Sequence, residues 1–263
     1  MSVLLADIGG THARFSILKS GKLSDIYRYR CSDFKSSYMA IRSFLLMQES
    51  MPNHAIIAMA GVVVNGQGKW TNLDWTLSEK KLKQLFGFST VLLVNDLIPQ
   101  GKGVLYLKSS DVIALNKVRP EKKSLKALMS LGTGLGACVI TPDSLCPSEY
   151  GQTILTNGKI LEKDLFSKRL KSSDEKTVNN EKFYRYLASV IQNFVLSTQP
   201  LGGLYLVGGM LSAKDLKKYD LIKQLINHPT MQPLLKKVPV YLIVNKNLAF
   251  IGLSKLAKKS CLT

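Results

Sequence analysis

The chain has 263 residues and is 46% hydrophobic, enough apolar material for one large core or two modest ones, yet no apolar run approaches the ~20 residues that span a bilayer, so no membrane partner is expected. Its formal net charge of +18 is spread over short groups such as Lys80-Lys81, Lys217-Lys218 and Lys258-Lys259, whereas a nucleic-acid surface usually concentrates its cations with aromatic interleaving, so the charge reads as a solvated surface and a nucleic-acid partner is not expected. The opening MSVLLADIGG lacks a secretory n-region, and Cys31, Cys138, Cys146 and Cys261 form neither a C-x-x-C pair nor a cluster with His12, His54 or His228, so the expectation is a cytoplasmic chain with reduced thiols and no zinc site.

An apolar strand over 4–8, containing Ala6, Asp7 and Ile8, leads into Gly9, Gly10 and Thr11, and a second strand over 13–18 follows. Glycines lack Cβ, reach positive φ cheaply and let backbone N–H groups approach a charged oxygen, so the turn reads as a phosphate cradle. Thr11 adds a hydroxyl donor, and Asp7 can hold magnesium through water. An ordinary hairpin with a solvated aspartate is the competing reading. A third strand is expected over 23–29, a helix over 37–47, and one buried strand over 54–64 closed by the turn signal at 65–68. Ser78 and Glu79 open a helix that Gly87 closes after Phe86. The wholly apolar TVLLVN over 90–95 reads as a central strand buried on both faces, delivering Asn95 and Asp96 to the edge where ligands of open α/β sheets bind.

The pattern then restarts. A strand over 125–131, the turn Gly132, Thr133 and Gly134, and a strand over 135–140 repeat the opening hairpin, and Gly208-Gly209 follows another apolar strand and precedes a helix beginning near Ser212. Two duplicated lobes facing one nucleotide account for three such turns better than structural hairpins do. Between them, a helix is expected over 160–170, a loop over 172–181 and a longer core helix over 181–196. Another buried strand, KVPVYLIVN, and a closing helix over 250–259 complete the chain.

Taken together, ADIGGTHARFSI, WTNLDW, VNDL, LGTGLG, LYLVGGM and PVYLIVN, in that order, resemble the bacterial glucokinase family of the actin/hexokinase/Hsp70 ATPase superfamily. The resemblance implies an α/β chain of two ribonuclease-H-like lobes around a central cleft, an actin-like ATPase fold. Lobe boundaries would be 1–108 completed by the closing helix over 248–263, and 109–247. It implies ATP-dependent phosphorylation of a hexose, with glucose converted to glucose 6-phosphate and Asp96 as general base. ATP phosphates would lie against Gly9, Gly10 and Thr11 on one side and Gly132, Thr133 and Gly134 on the other, with Gly208 and Gly209 toward adenosine. Asn95 would hold a sugar hydroxyl, as would Glu149, and Asn72 is a weaker candidate.

The sequence departs from the family in two places. Gln152 stands where the Glu-x-x-His segment has histidine, and the stretch over 153–180 is too short for the family's second sugar-binding glutamate and Ser-Gly-x-Gly loop. Glu162 and Glu175 are candidate substitutes that spacing does not separate. These departures keep open a second reading, a degenerate kinase fold acting as a nucleotide or sugar sensor, beside another small-molecule kinase of the superfamily. The resemblance also implies a homodimer, which no residue pattern specifies.

Overall fold

The computed structural model describes residues 2–70, 73–169 and 176–260. They fall into two compact units, one built from the chain up to Tyr106 together with the stretch from Asn247 onward, the other from Leu107–Lys246.

In the first unit, β1 (Ser2–Ile8) and β2 (His12–Lys19) form the opening hairpin, with Ile8 opposite Ala13 and Asp7 opposite Arg14. The strand expected over 23–29 is two strands, β3 (Lys22–Leu23) and β4 (Tyr27–Arg30), both antiparallel to β2. Ser24 causes the break: its Oγ accepts the Ile17 N–H at 2.9 Å, replacing a ladder bond. Helix α1 (Ser37–Leu45) starts where Ser36 accepts the Met39 N–H and ends two residues before the expected 47.

The run over 54–64 also divides. β5 (His54–Met59) lies parallel to β1, whereas β6 (Gly61–Val64) leaves for a three-stranded antiparallel sheet with β7 (Gln67–Trp70) and β8 (Thr76–Ser78). Gly61 permits the exit, because a Cβ there would overlap the Lys69 carbonyl oxygen. Helix α2 (Glu79–Phe86) is bounded as its sequence signals indicate, by Ser78 at its start and by Gly87 at φ 71°.

β9 (Thr90–Asn95) pairs in parallel with β5, but the order β3-β2-β1-β5-β9 makes it the last strand on that side, not a central one. Thr90 is exposed and Leu92 and Val94 are half-buried. The outward N–H of Leu93 finds the Glu79 carboxylate at 2.8 Å, so a side chain from α2 closes the edge that a neighbouring strand would have covered. Helix α3 (Leu97–Val104) follows directly.

The second unit contains β10 (Val112–Ala114), β11 (Lys126–Leu131), β12 (Leu135–Ile140), β13 (Leu145–Ser148), α4 (Leu161–Ser167), α5 (Lys176–Thr198), β14 (Leu204–Val207), α6 (Ala213–Lys218), α7 (Leu221–Ile226), α8 (Gln232–Leu235) and β15 (Val240–Ile243). Its sheet order is β10-β15-β14-β11-β12-β13. Read outward from β11, the series β13-β12-β11-β14-β15 reproduces the order and strand directions of β4-β2-β1-β5-β9. This is the duplication that the repeated glycine hairpins imply. Helix α5 begins earlier than expected, so part of the loop expected over 172–181 is helical; Leu170 and residues 171–175, Glu175 among them, lie outside the described residues.

Helix α9 (Leu248–Ser260) returns to the first unit. Strand alternation in β1 sends Leu4, Ala6 and Ile8 to one core with Phe15, Ile41 and Phe44, and Val3 and Leu5 to another with Phe250 and Leu253 of α9. Each such large apolar side chain contributes about 1.5–3 kcal/mol by leaving water. In the second unit Phe183, Leu187, Ile191 and Phe194 of α5 cover β11 and β14.

Candidate active site

In the first unit the parallel register of β1, β5 and β9 aligns their carboxyl ends, with Ile8 beside Met59 and Met59 beside Asn95. Gly9, Gly10 and Thr11 therefore share an edge with Asn95 and Asp96, two strand spacings or about 10 Å away. The Ile8 carbonyl accepts the Ala60 N–H and the Trp70 Nε1–H, both at 3.1 Å, and the Asp96 N–H donates to Met59 O at 2.9 Å. Trp70 meets Trp75 edge to face at 5.8 Å, and the Trp70 N–H donates to Trp75 O. The WTNLDW segment thus pins the end of β1, a role that sequence reading missed; Asn72 itself lies outside the described residues.

Asp96 occupies the residue before α3 with helical dihedrals, φ −64° and ψ −21°, where the helix terminus favours a negative charge. Beside it, Asn95 Nδ2 donates to Gly61 O and Asn95 Oδ1 accepts the Leu97 N–H, each at 2.9 Å. These two bonds fix the amide that the resemblance assigns to a sugar hydroxyl at the β9–α3 junction, using one N–H and one lone pair of a group that has two of each. Asp7 is buried and paired with its cross-strand neighbour Arg14, whose Nε lies 3.0 Å from Oδ2 and whose Nη2 contacts the same oxygen.

The glycine turn is not built on positive φ. Neither Gly9 nor Gly10 is among the glycines with that conformation. Glycine contributes bareness instead: a Cβ on Gly9 would meet only the His12 carbonyl oxygen, at an ordinary 3.5 Å. That carbonyl accepts the Gly9 N–H at 2.9 Å. Cys31 Sγ donates to Gly9 O, and burial pushes its pKa up to about 11, so this thiol is a packing group and not a nucleophile.

In the second unit Gly132, Thr133 and Gly134 join β11 to β12, with the Gly132 N–H donating to Gly134 O at 3.0 Å. No atom outside the adjoining chain lies within 4 Å of where a Cβ on Gly132 or Gly209 would stand. Gly208 differs: at φ 140° it passes so close to Leu131 O that any Cβ would overlap it. Its glycine is required by the fold, whereas Gly132 and Gly209 leave backbone open to an approaching group, the kind of space that a phosphate or nucleotide fits.

Beneath the second turn lies a carboxylate that spacing alone could not choose. Buried Glu162, in the first turn of α4, accepts the Leu135 N–H at 2.8 Å through Oε2 and the Gln152 Nε2–H at 2.9 Å through Oε1. A Cβ on Gly134 would stand 2.8 Å from that Oε2. Gln152, in the position that the family gives to histidine, is thereby oriented by Glu162. Glu149 belongs to the same group. The residue is exposed overall, yet partial burial of its carboxyl, followed by the negative charge of Glu162, raises its pKa above the ordinary glutamate value. Among the described residues no group of three or more His, Cys, Asp or Glu is arranged to hold a metal ion. A hydrated magnesium ion, which keeps several waters and takes only one or two carboxylates, fits such a donor set.

Duplicated sheets of this order, with glycine turns at the carboxyl ends of the first strand of each, are the architecture of the actin-like ATPase fold, and a family match places the chain among the ATP-dependent sugar kinases of that fold. A profile described as Glucokinase matches residues 4–182 and 163–260. The chain belongs to the glucokinase family. It is 24% identical to a glucokinase of Nitrobacter hamburgensis over 307 aligned positions, covering 96% of each chain. Since 307 positions exceed the 263 residues present, the alignment has to open gaps in this chain. Among solved structures, it is similar to a glucokinase from an Antarctic psychrotroph (TM-score 0.77, 23% identity, 98% of this chain and 99% of that one). It is also similar to the glucokinase of Balamuthia mandrillaris in complex with glucose (TM-score 0.73, 16% identity, 98% and 93%). No helix among the described residues is long and apolar enough to cross a membrane.

Proposed function

We infer that the hexose is glucose, phosphorylated on its primary hydroxyl, and that Asp96 is the general base. The observation that carries the assignment is the position of Asp96, at the carboxyl end of β9 and the N-terminus of α3, on the same sheet edge as the Gly9 turn. The glucose carried by the Balamuthia mandrillaris relative supports the choice of sugar.

In this reading the sugar hydroxyl oxygen forms a bond to the γ-phosphorus as the bridging bond to the β-phosphate breaks. Asp96 accepts the hydroxyl proton, and the helix terminus beside it favours the ionised carboxylate that does so. The turns at Gly9, Gly10 and Thr11 and at Gly132, Thr133 and Gly134 lie against phosphate oxygens, with Gly9 and Gly132 closing each turn through their own N–H bonds to His12 O and Gly134 O and the following residues of each turn offering backbone N–H groups, while Gly208 and Gly209 border the adenosine end. Glu149 and Gln152 hydrogen-bond ring hydroxyls, each of which both donates and accepts. Asn95, fixed at the β9–α3 junction by its bonds to Gly61 and Leu97, and Asn72 are further candidate sugar contacts. Bound magnesium would neutralise charge on the transferring phosphates, with Asp7 reaching it through water.

The test is a coupled ADP-release assay across hexoses, hexosamines and pantothenate. Glucose should give the highest kcat/KM, and Asp96→Asn should lower turnover about 10²–10⁴-fold with nucleotide binding retained. Binding of sugar or nucleotide without turnover in the wild-type chain would refute the kinase assignment and favour a sensor.

A further inference from the structure

One face of the first unit's sheet concentrates cations beside the Gly9 turn. In β2 and β4, His12 lies opposite Arg30 and Arg14 opposite Arg28, so strand alternation sends all four side chains to one face. Arg28 Nη2 lies 3.1 Å from His12 Nδ1, and Arg14 stacks over the Phe250 ring of α9 at 5.6 Å, which places this face on the α9 side. The pKa of His12 is lowered, first by partial burial and then by the positive charges of Arg28, Arg30 and Arg14. Asp7 is paired with Arg14, while among the described residues no carboxylate lies within ion-pair distance of Arg28 or Arg30, both exposed.

The patch is continuous with the turn. The chain leaves β4 at Cys31, whose N–H donates to Thr11 O at 2.9 Å and whose Sγ donates to Gly9 O. The cations form two rows about 7 Å apart along the strands, suited to an extended anion running away from the turn and less to a single convergent phosphate. Aromatic platforms are turned away from it. Tyr27 and Tyr29, which alternate with the arginines, pack against Phe44, Phe15 and Phe34 on the opposite face. A nucleic-acid surface would use such rings to stack bases; a base-free polyanion has no need of them.

We propose that the β2–β4 face, through Arg28, Arg30, Arg14 and His12, is a binding site for a linear condensed phosphate, an inorganic polyphosphate chain. The site goes beyond the kinase reading and is read from β2 and β4 alone, so direct binding tests it whether or not the chain phosphorylates glucose.

The experiment titrates the full chain with sodium tripolyphosphate, a longer linear polyphosphate and a thymidine oligonucleotide, each at several salt concentrations. Arg28→Gln/Arg30→Gln should weaken long-chain binding about tenfold or more and flatten the dependence of log K on log salt by about 1–2, at roughly 0.7 per lost cation. Lys80→Gln/Lys83→Gln, which removes the same charge from exposed positions on α2, should change binding less than about twofold. Arg28→Lys/Arg30→Lys should retain most of it, and unchanged far-UV circular dichroism confirms folding. Equal losses in the Arg→Gln and Lys→Gln pairs would overturn the proposal in favour of bulk charge. Oligonucleotide bound as tightly and lost with the same arginines would overturn it in favour of nucleic acid. No polyphosphate binding in the wild type would leave the arginines as guards of the β4 edge.

Discussion

Replacing Glu162 by alanine removes the one acceptor seen for the buried Leu135 N–H at the base of the Gly132 turn, together with the group that orients Gln152. Stranding a buried N–H costs about 1–3 kcal/mol, and losing the charge-assisted bond from Gln152 about 1.5 kcal/mol more. Relief of carboxylate burial and of repulsion with Glu149 offsets part of this, leaving a net loss of about 2–4 kcal/mol. Glu162→Gln should lose only about 1 kcal/mol, because its carbonyl oxygen can still serve Leu135 and the Gln152 amide can turn over to accept from the new NH₂. Urea unfolding followed by far-UV circular dichroism measures both. With an m value of about 2 kcal/mol/M, the midpoint of the alanine variant should fall by about 1–2 M. Both tryptophans, Trp70 and Trp75, belong to the first unit, so their fluorescence gives a separate reading of that unit. An alanine variant within about 0.5 kcal/mol of wild type, or a glutamine variant as damaged as the alanine one, would refute the account of Glu162 as an internal acceptor.

Adjacent glycines should behave oppositely. Gly208→Ala forces a Cβ onto Leu131 O and should cost about 3 kcal/mol or more, whereas Gly209→Ala should leave unfolding unchanged and raise the KM for ATP; a damaged fold in Gly209→Ala contradicts the open-backbone reading. Trp70→Phe deletes the bond to Ile8 O and should lower stability by about 1–3 kcal/mol by thermal unfolding. Because the folded-state pKa of Glu149 is raised, the folded chain holds that proton more tightly than the unfolded one, so its contribution is present at low pH and is lost as pH rises from the ordinary glutamate value through the raised one. Wild type should therefore lose stability relative to Glu149→Gln across that interval, and the opposite slope in pH-dependent unfolding would contradict the burial of the Glu149 carboxyl beside Glu162.

Local chemistry was legible from the residues wherever it was self-contained. Ser78 and Gly87 bound α2 because a capping hydroxyl and a left-handed glycine need only their own helix. The duplicated hairpins were legible because each is a short stretch whose strands pair with one another, and the ordered motifs carried the family. Other outcomes depended on neighbours distant in the chain. TVLLVN is apolar from Val91 to Val94, yet it is a terminal strand, and Glu79 supplies the acceptor that a further strand would have given. The 54–64 run breaks at Gly61 because Lys69 passes against it. Glu162 and Glu175 were equivalent in the sequence, and only the fold of the second unit brings Glu162 under Leu135 and beside Gln152. Sequence alone determined the hairpins, the caps and the aspartate at the end of β9, since these follow from residue type and short-range spacing. Which carboxylate lies beneath the second turn, which glycines are packed and which are bare, and which cations share a face were decided by tertiary structure, because each is a distance between chain segments that no local rule sets.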